Sequence, residues 1–191
     1  MRTQKDRMVN QKLYIADDTE LRQARKRAKM LIRKFNETDE EHEKDRLQLI
    51  KKLFQDTGEN CYIEPPFRAD YGFNISVGEN FYANYDCIFI DVAPIKIGNH
   101  VLFGPRVGLY TAGHPIDPVI RNQGFEYGKS ISIGDNVWIG GNVVINPGVT
   151  IGSNVVIGSG SIVTHNIPSD VVAVGNPCHV LRKINADDQK D

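Results

Sequence analysis

His114 is the first candidate for proton transfer in this sequence, because histidine changes charge near neutral pH. It lies in the run Thr-Ala-Gly-His-Pro, inside a segment (110–130) whose prolines, glycines and polar residues predict a loop. Long loops within compact domains usually carry function. A single loop histidine is nonetheless more often a solvent-facing residue than a catalytic one, so the assignment depends on the fold around it.

A six-residue repeat of aliphatic residues occupies the chain on the C-terminal side of this loop. Helices repeat near 3.6 residues and strands near 2, so a period of six indicates short strands separated by turns. Such spacing is typical of a β-helix, in which three hexads form one coil of about 18 residues and coils stack about 4.8 Å apart. The repeat consists of Ile133, Ile139, Ile145, Ile151, Ile157 and Val163 and, between these, Val137, Val143, Val149, Val155 and Ser161.

Weaker hexads precede the loop and predict earlier coils of the same solenoid. A two-residue slip near Asp91 and Val92 predicts that these coils are less regular. The register breaks again over 110–130, which we expect to be thrown out from the coil as one extruded loop. The earlier hexad positions are Val77, Ala83, Ile97, Phe103 and Leu109.

Residues 1–57 contain no glycine or proline and are rich in charged residues. Apolar residues at helical spacing predict a two-helix hairpin with solvated charged faces. Asp17, Asp18 and Thr19 offer capping side chains for the first helix, and Thr38 or Asp39 for the second. We therefore divide the chain into the hairpin (1–57), a β-helix domain (58–184) and a polar tail (185–191). The apolar positions are Leu21, Ala24, Ala28, Leu31, Ile32, Phe35, Leu47, Ile50, Leu53 and Phe54.

Composition excludes several classes of protein. The chain has 191 residues and a formal net charge of −1, which gives no bulk electrostatic case for nucleic-acid binding. Its N-terminal run lacks the apolar core of a signal peptide, and no apolar run approaches the roughly 18 residues of a membrane span. Three distant cysteines indicate neither a disulfide framework nor a zinc site. A soluble protein of the reducing cytoplasm is the expectation.

Several segments resemble the maltose, galactoside and nodulation-type sugar O-acetyltransferases. The pattern Tyr-x-Ala-x-Asp-x-x-Leu from Tyr14 to Leu21 extends the resemblance into the charged N-terminal part. Arg-x-Asp-Tyr-Gly at 68–72 and Gly-Phe-Glu-Tyr-Gly-Lys at 124–129 are most similar to the maltose branch. The other segments are NFYANYDC (80–87), YTAGHPIDP (110–118), ISIGDNVWIGGNVVINPGVTIG (131–152) and VVAVGNPCHVLRKI (171–184).

The resemblance implies an acetyl-CoA-dependent enzyme that acetylates a hydroxyl of a small sugar by direct attack, with no metal. It implies a left-handed parallel β-helix, assembled as a homotrimer with active sites between subunits. The family's histidine falls on His114, whose general-base role is sensible because a sugar hydroxyl is a poor nucleophile until its proton is removed. The family's asparagine falls on Asn84, which would orient the acceptor or steady the transition state.

The resemblance also places the two substrates. Carboxylates accept hydrogen bonds from sugar hydroxyls, and either Asp70 or Glu126 could orient His114. Relatives often carry Lys and Arg where this chain has His165 and His179, which puts coenzyme A affinity in question. The acceptor-binding positions are Asp17, Asp70, Tyr82, Asp91 and Glu126, and the cofactor-binding positions are Trp138, Gly141, Ser159, Thr164, His165, His179 and Arg182.

Three other functions stay open at this point. The acceptor could be an antibiotic or another hydroxylated small molecule, although the N-terminal hairpin accompanies the sugar branch. A metal-dependent hydratase of the carbonic anhydrase type would need three converging histidines, and the loop after His114 contains no second one. A non-catalytic binding protein is the third, against which Asn84, His114 and Trp138 argue.

Overall fold

The computed structural model describes residues 3–189. The predicted hairpin (1–57) and tail (185–191) include residues 1–2 and 190–191, which lie outside the described residues, and this division of the chain stays a prediction. No helix within residues 3–189 is both long and apolar enough to cross a membrane. The helices are α1 (Gln4–Val9), α2 (Thr19–Asn36), α3 (Glu43–Leu53) and α4 (Pro118–Arg121), with 3₁₀ helices at Glu40–His42 and Ala186–Gln189.

The N-terminal part contains the two predicted helices, α2 and α3, and one helix that was not predicted. Asp18 caps α2, because its Oδ1 accepts the backbone N–H groups of Glu20 and Leu21 at 2.9 and 3.3 Å. Asp39 caps the 3₁₀ helix that precedes α3, not α3 itself. The additional helix, α1, begins at a capping box between Thr3 and Asp6.

The rest of the chain forms short strands. The first ten are β1 (Tyr14–Ile15), β2 (Asp56–Thr57), β3 (Tyr62–Ile63), β4 (Arg68–Ala69), β5 (Ile75–Val77), β6 (Tyr82–Ala83), β7 (Ile88–Ile90), β8 (Ile95–Ile97), β9 (Leu102–Phe103) and β10 (Gly108–Tyr110). The others are β11 (Ala112–Gly113), β12 (Phe125–Gly128), β13 (Ile131–Ile133), β14 (Val137–Ile139), β15 (Val144–Ile145), β16 (Thr150–Ile151), β17 (Val155–Ile157), β18 (Ile162–Val163), β19 (Val171–Gly175) and β20 (Cys178–Lys183).

These strands build a β-helix with three parallel faces. Face 1 contains β2, β5, β8, β13 and β16, and face 3 contains β4, β7, β10, β15 and β18. Face 2 contains β3, β6, β9, β14, β17 and β19, with β20 added antiparallel to β19. We call the turn from face 2 to face 3 the second corner, and the turn from face 3 to the next coil's face 1 the third corner. This architecture confirms the predicted solenoid.

The coils differ in length on the two sides of the extruded segment. Tyr62 pairs with Tyr82, a step of 20 residues, whereas Ile133 pairs with Ile151, a step of 18. The longer early coils agree with the predicted slip near Asp91 and Val92. The hexad positions are buried as predicted, and none from Ile133 to Val163 exposes more than 4% of its surface. Burying each such aliphatic side chain contributes roughly 1.5–3 kcal/mol.

The segment 110–130 leaves the coil as predicted, but it is not an irregular loop. β11 and β12 pair antiparallel, with α4 between them, and β12 also pairs with β1 from the N-terminal part. A second, smaller core lies where these parts meet, and it contains Met8, Tyr14, Leu21, Tyr71 and Val92. The strand β1 has only two residues and its partner is far away in the sequence, so no local periodicity predicted this sheet.

Candidate active site

Asn84 and two of the predicted cofactor positions share the second corner of the β-helix. Backbone ladder bonds stack successive coils there, including Asn84 N–H to Phe103 O at 3.0 Å and Gly160 N–H to Gly141 O at 2.9 Å. Asn84 therefore lies in one column with Gly104 and Gly140, and Gly141 and Ser159 lie one residue further along the same corner. The approach of coils is close, because a Cβ on Gly104 would lie 2.6 Å from the Gly141 nitrogen.

Two hydrogen-bond donors at this corner, the Asn84 amide nitrogen and the Gly141 backbone N–H, have no acceptor within residues 3–189. The side-chain oxygen of Asn84 accepts the backbone N–H of Tyr85 at 2.8 Å, which leaves the Nδ2 amide as the group that can donate to a ligand. Within residues 3–189 the backbone N–H of Gly141 donates to no acceptor. Donors fixed in this way are suited to a site where negative charge develops.

An apolar column of side chains runs from coil to coil on the outer surface of face 2, beside this corner. Tyr62 and Tyr82 stack with parallel rings at 5.9 Å between centroids, and the strand register continues through Leu102 to Trp138. Trp138 exposes 56% of its surface. A large exposed indole near the unpaired Gly141 N–H fits the pantetheine and amide groups of a coenzyme A molecule.

The remaining cofactor positions lie near the C-terminal end. His165 contacts the Thr164 hydroxyl through Nδ1 at 2.8 Å, and His179 Nδ1 lies 3.1 Å from the Pro177 carbonyl oxygen. Arg182 on β20 forms a bidentate pair with Asp188, at 2.8 and 2.5 Å. The guanidinium lowers the pKa of Asp188 to about 2. A phosphate at Arg182 would therefore compete with a carboxylate of the same chain.

Three of the acceptor positions, Asp70, Asp91 and Glu126, lie near the third corner, where the extruded segment leaves the coil. Asp91 is fully buried there. Its Oδ1 accepts the backbone N–H groups of Asp70 and Tyr71 at 3.0 and 2.8 Å, while Oδ2 has no partner within residues 3–189. Burial, with a smaller contribution from the neighbouring Asp70, raises the pKa of Asp91 to about 7. A direct acceptor contact needs an accessible carboxylate, so in this structure Asp91 holds the backbone of Asp70 instead.

The other acceptor positions are more accessible. Asp70 is half-buried, and desolvation raises its pKa although Arg25 and Lys29 oppose the shift. Asp18, not Asp17, caps α2. Asp17 is exposed, and its Oδ1 lies 3.4 Å from Nη1 of Arg22. Tyr82 lies apart from this group, on face 2.

Glu126 on β12 accepts the phenolic proton of Tyr14 at 2.7 Å, and Tyr14 is fully buried. The pairing of Gly113 with Tyr127 ends β11 one residue before His114. Continuing that antiparallel register by one residue sets His114 opposite Glu126. The imidazole is exposed, and it forms no hydrogen bond with any residue between 3 and 189.

Arg25 is a site residue that the sequence did not single out. Its guanidinium donates to the Tyr71 hydroxyl at 2.5 Å and to the Ala16 carbonyl at 2.8 Å. It therefore ties α2 to the Asp-Tyr-Gly segment that carries Asp70. Its spacing on α2 is that of a surface cation, and only the tertiary contact distinguishes it. No group of three or more His, Cys, Asp or Glu among residues 3–189 is arranged to hold a metal ion.

The two predicted catalytic residues, Asn84 and His114, thus lie on opposite edges of face 3. Asn84, Gly141 and Ser159 lie at the second corner, and His114 with the acidic residues lies at the third. Residues 86–90 cross the face between the corners, and at about 3.3 Å per residue this distance is roughly 16 Å. One chain does not bring the two groups together.

Comparisons with known proteins agree with the architecture. The family description "Maltose acetyltransferase hexapeptide capping motif" matches residues 7–58, and "Bacterial transferase hexapeptide (six repeats)" matches residues 130–165. The galactoside O-acetyltransferase of Lactococcus lactis is 45% identical, over 96% of this chain and 89% of the relative.

Two solved structures are similar over almost their whole length. A maltose O-acetyltransferase from Clostridium difficile is 53% identical, with a TM-score of 0.95 over 96% of this chain and 98% of that one. A galactoside acetyltransferase in complex with coenzyme A is 46% identical, with a TM-score of 0.94 over 97% of this chain and 93% of that one. The chain therefore belongs to the maltose and galactoside O-acetyltransferase family of hexapeptide-repeat acyltransferases.

Proposed function

We propose that this protein transfers an acetyl group from acetyl-CoA to a hydroxyl of a small sugar. The observation that carries the proposal is the third corner, where the strand register sets His114 opposite Glu126 and Asp17 and Asp70 extend the acidic surface. Several carboxylates together can accept hydrogen bonds from the hydroxyls on one face of a sugar.

His114 acts as the general base. An exposed imidazole without an internal partner is free to accept the proton of an acceptor hydroxyl as that oxygen attacks the acetyl carbonyl, and to give the proton to the coenzyme A thiolate that would leave as the C–S bond breaks. Glu126 is the better placed of the two carboxylates to orient the ring, because it lies opposite His114 in the strand register and is itself held by Tyr14. Bound acetyl-CoA would supply the acetyl thioester.

Asn84 and Gly141 stabilise negative charge in the transition state. The Asn84 side chain presents Nδ2, since its oxygen is occupied by the N–H of Tyr85, and Gly141 contributes an unpaired backbone N–H. Such preorganised donors are among the largest contributions to acyl-transfer catalysis. Trp138, Ser159 and Thr164 line the remaining path of the cofactor, and its phosphates lie toward His165, His179 and Arg182.

The active site is completed by a neighbouring subunit of a homotrimer. His114 and Asn84 leave opposite edges of face 3, so each group needs its complement from another copy. The outer surface of face 3 is aliphatic at Ile88, Val144 and Ile162, which are only partly covered in one chain. Packing this face around a three-fold axis covers these residues and brings the third corner of one subunit to the second corner of the next.

An acceptor screen tests the proposal. The purified protein is incubated with acetyl-CoA and a panel of sugars and hydroxylated antibiotics, and release of the free thiol is followed. We expect turnover with one or more sugars, above the hydrolysis measured without acceptor. Turnover with antibiotics alone would show that the acceptor is not a sugar, and loss of activity on chelation in the unsubstituted protein would favour a metal-dependent reaction.

A further inference from the structure

One face of α2 carries a row of four cations, Arg22, Arg25, Lys29 and Arg33, which we call the cationic row. The intervals of three and four residues place them on the same side of the helix. At about 1.5 Å per residue the row is roughly 16 Å long. α2 contains a single acidic residue, Glu20, although the whole chain has a net charge of −1.

The two ends of the cationic row have different surroundings. Arg22 lies 3.4 Å from Asp17, and Arg25 is bound to the Tyr71 hydroxyl and the Ala16 carbonyl. Lys29 and Arg33 are exposed and form no hydrogen bond or ion pair within residues 3–189. Glu37, four residues after Arg33, lines the same cleft as these two cations but forms no ion pair with Arg33 in this structure.

Two adjoining clefts connect the row to the acceptor residues. A groove of about 510 Å³ is lined by Arg22, Arg25, Lys26, Lys29, Met30 and Arg33. A second cleft of about 620 Å³ lies between α2 and face 3, and Lys29 and Arg33 line it together with Arg68 and Asp70. The row therefore leads from open surface to Asp70 at the third corner.

We infer that the cationic row binds a negatively charged group, phosphate or carboxylate, on the acceptor whose hydroxyl lies at His114. This inference rests on the proposed function, because it assigns the acceptor class of the same site. The acidic side chains Asp17, Asp70 and Glu126 would repel an anionic sugar unless cations offset them. Arg and Lys without internal partners are suited to that task, and Arg binds both oxyanions in a bidentate manner.

Matched acceptors test the inference. Initial rates of thiol release are measured with glucose, glucose 6-phosphate and glucuronic acid, at low and at high ionic strength. Two exposed charge pairs, one each with Lys29 and Arg33, are together worth roughly ten-fold, so kcat/KM for an anionic acceptor should exceed that for glucose by about this factor at low salt. The advantage should shrink at high salt because exposed charges are screened. The phosphate and carboxylate arms show which anion is preferred.

Two double variants test whether Lys29 and Arg33 cause the preference for an anionic acceptor. Lys29→Gln with Arg33→Gln should reduce the ratio of anionic to neutral kcat/KM about ten-fold, while Lys34→Gln with Lys44→Gln, exposed cations outside both clefts, should leave it unchanged. If the ratio of anionic to neutral kcat/KM is the same in the two double variants, the preference comes from net charge alone and the inference is overturned. A raised KM for acetyl-CoA in the first variant would also overturn it, because the row would then hold the cofactor's phosphates.

The inference and the proposed function fail in different ways. If no sugar is acetylated, the proposed function fails, and calorimetric titration of glucose 6-phosphate into the coenzyme A-loaded protein still tests the row. Binding that is lost in Lys29→Gln with Arg33→Gln supports it. Absence of binding to the unsubstituted protein overturns it.

Discussion

Tyr14 donates its phenolic hydrogen to Oε2 of Glu126 across 2.7 Å, and this bond joins the N-terminal part of the chain to the segment that carries His114. Burial and then the hydrogen bond to Glu126 raise the pKa of Tyr14 far above its usual value of 10, so the phenol stays protonated as a donor. A buried donor of this kind fixes the position of the carboxylate. The N-terminal part therefore contributes to the proposed acceptor site.

Replacing Tyr14 by Phe should increase the KM for the acceptor several-fold, because Glu126 loses the group that orients it. The free energy of unfolding should fall by about 1–3 kcal/mol, the usual cost of losing a buried partner. Tyr127→Phe, on the next residue of β12, is the matched control. Steady-state kinetics with identical acceptor KM values for the two variants would contradict a positioning role for Tyr14.

Asp91 should make the stability of the protein depend on pH. Its pKa rises from 3.8 to about 7 on folding, so between these values the folded state binds a proton that the unfolded chain releases. The free energy of unfolding should therefore be highest at the acidic end, fall by a few kcal/mol as pH rises toward 7, and level off above it. Urea unfolding at several pH values measures this slope.

Asp91→Asn should flatten that slope, since an amide cannot titrate but its oxygen can still accept the N–H groups of Asp70 and Tyr71. Asp45→Asn, an exposed position on α3, is the control and should retain the slope. If Asp91→Asn and the unsubstituted protein show the same pH dependence, the buried carboxyl does not carry it.

The solenoid could be predicted from the sequence because its pattern is local: each short strand needs one aliphatic side chain that points inward, and these side chains recur every six residues. The sequence could not predict that Asp91 is buried, because the N–H groups that bind its carboxylate belong to Asp70 and Tyr71 of the preceding coil. The pairing of β1 with β12 depends on a contact across 112 residues. Site geometry that depends on such contacts is not encoded in local spacing.

The aliphatic outer surface of face 3 predicts the assembly. We expect a homotrimer at micromolar concentration by sedimentation equilibrium. Val144→Glu should dissociate it and abolish turnover, because a charge would be buried without a partner and the two halves of the site would separate. Thr150→Glu, on the outer surface of face 1, should leave the trimer intact. A monomeric unsubstituted protein would refute this arrangement.

The phosphate end of the cofactor site should respond to added positive charge. Lys and Arg bind phosphate with a charge that is always present, whereas histidine is not permanently charged. His165→Lys with His179→Arg should therefore lower the KM for acetyl-CoA, whereas His42→Lys, on the 3₁₀ helix of the N-terminal part, should leave it unchanged. An unchanged KM in the double variant would remove both histidines from the cofactor site.

His114→Ala should retain the fold, the trimer and binding of acetyl-CoA, but lose most of its turnover. General-base catalysis is typically worth 10²–10⁴-fold, and the loss should appear in kcat because the proton moves only as the hydroxyl attacks. His100→Asn, at an exposed corner with a positive φ that asparagine tolerates, is the control and should keep full activity. Asn84→Ala should cost a similar factor if its Nδ2 stabilises the transition state, and less if it only orients the acceptor. If His114→Ala retains more than about a tenth of the original kcat, when the smallest expected loss is about 10²-fold, another group removes the proton and Glu126 becomes the next residue to test.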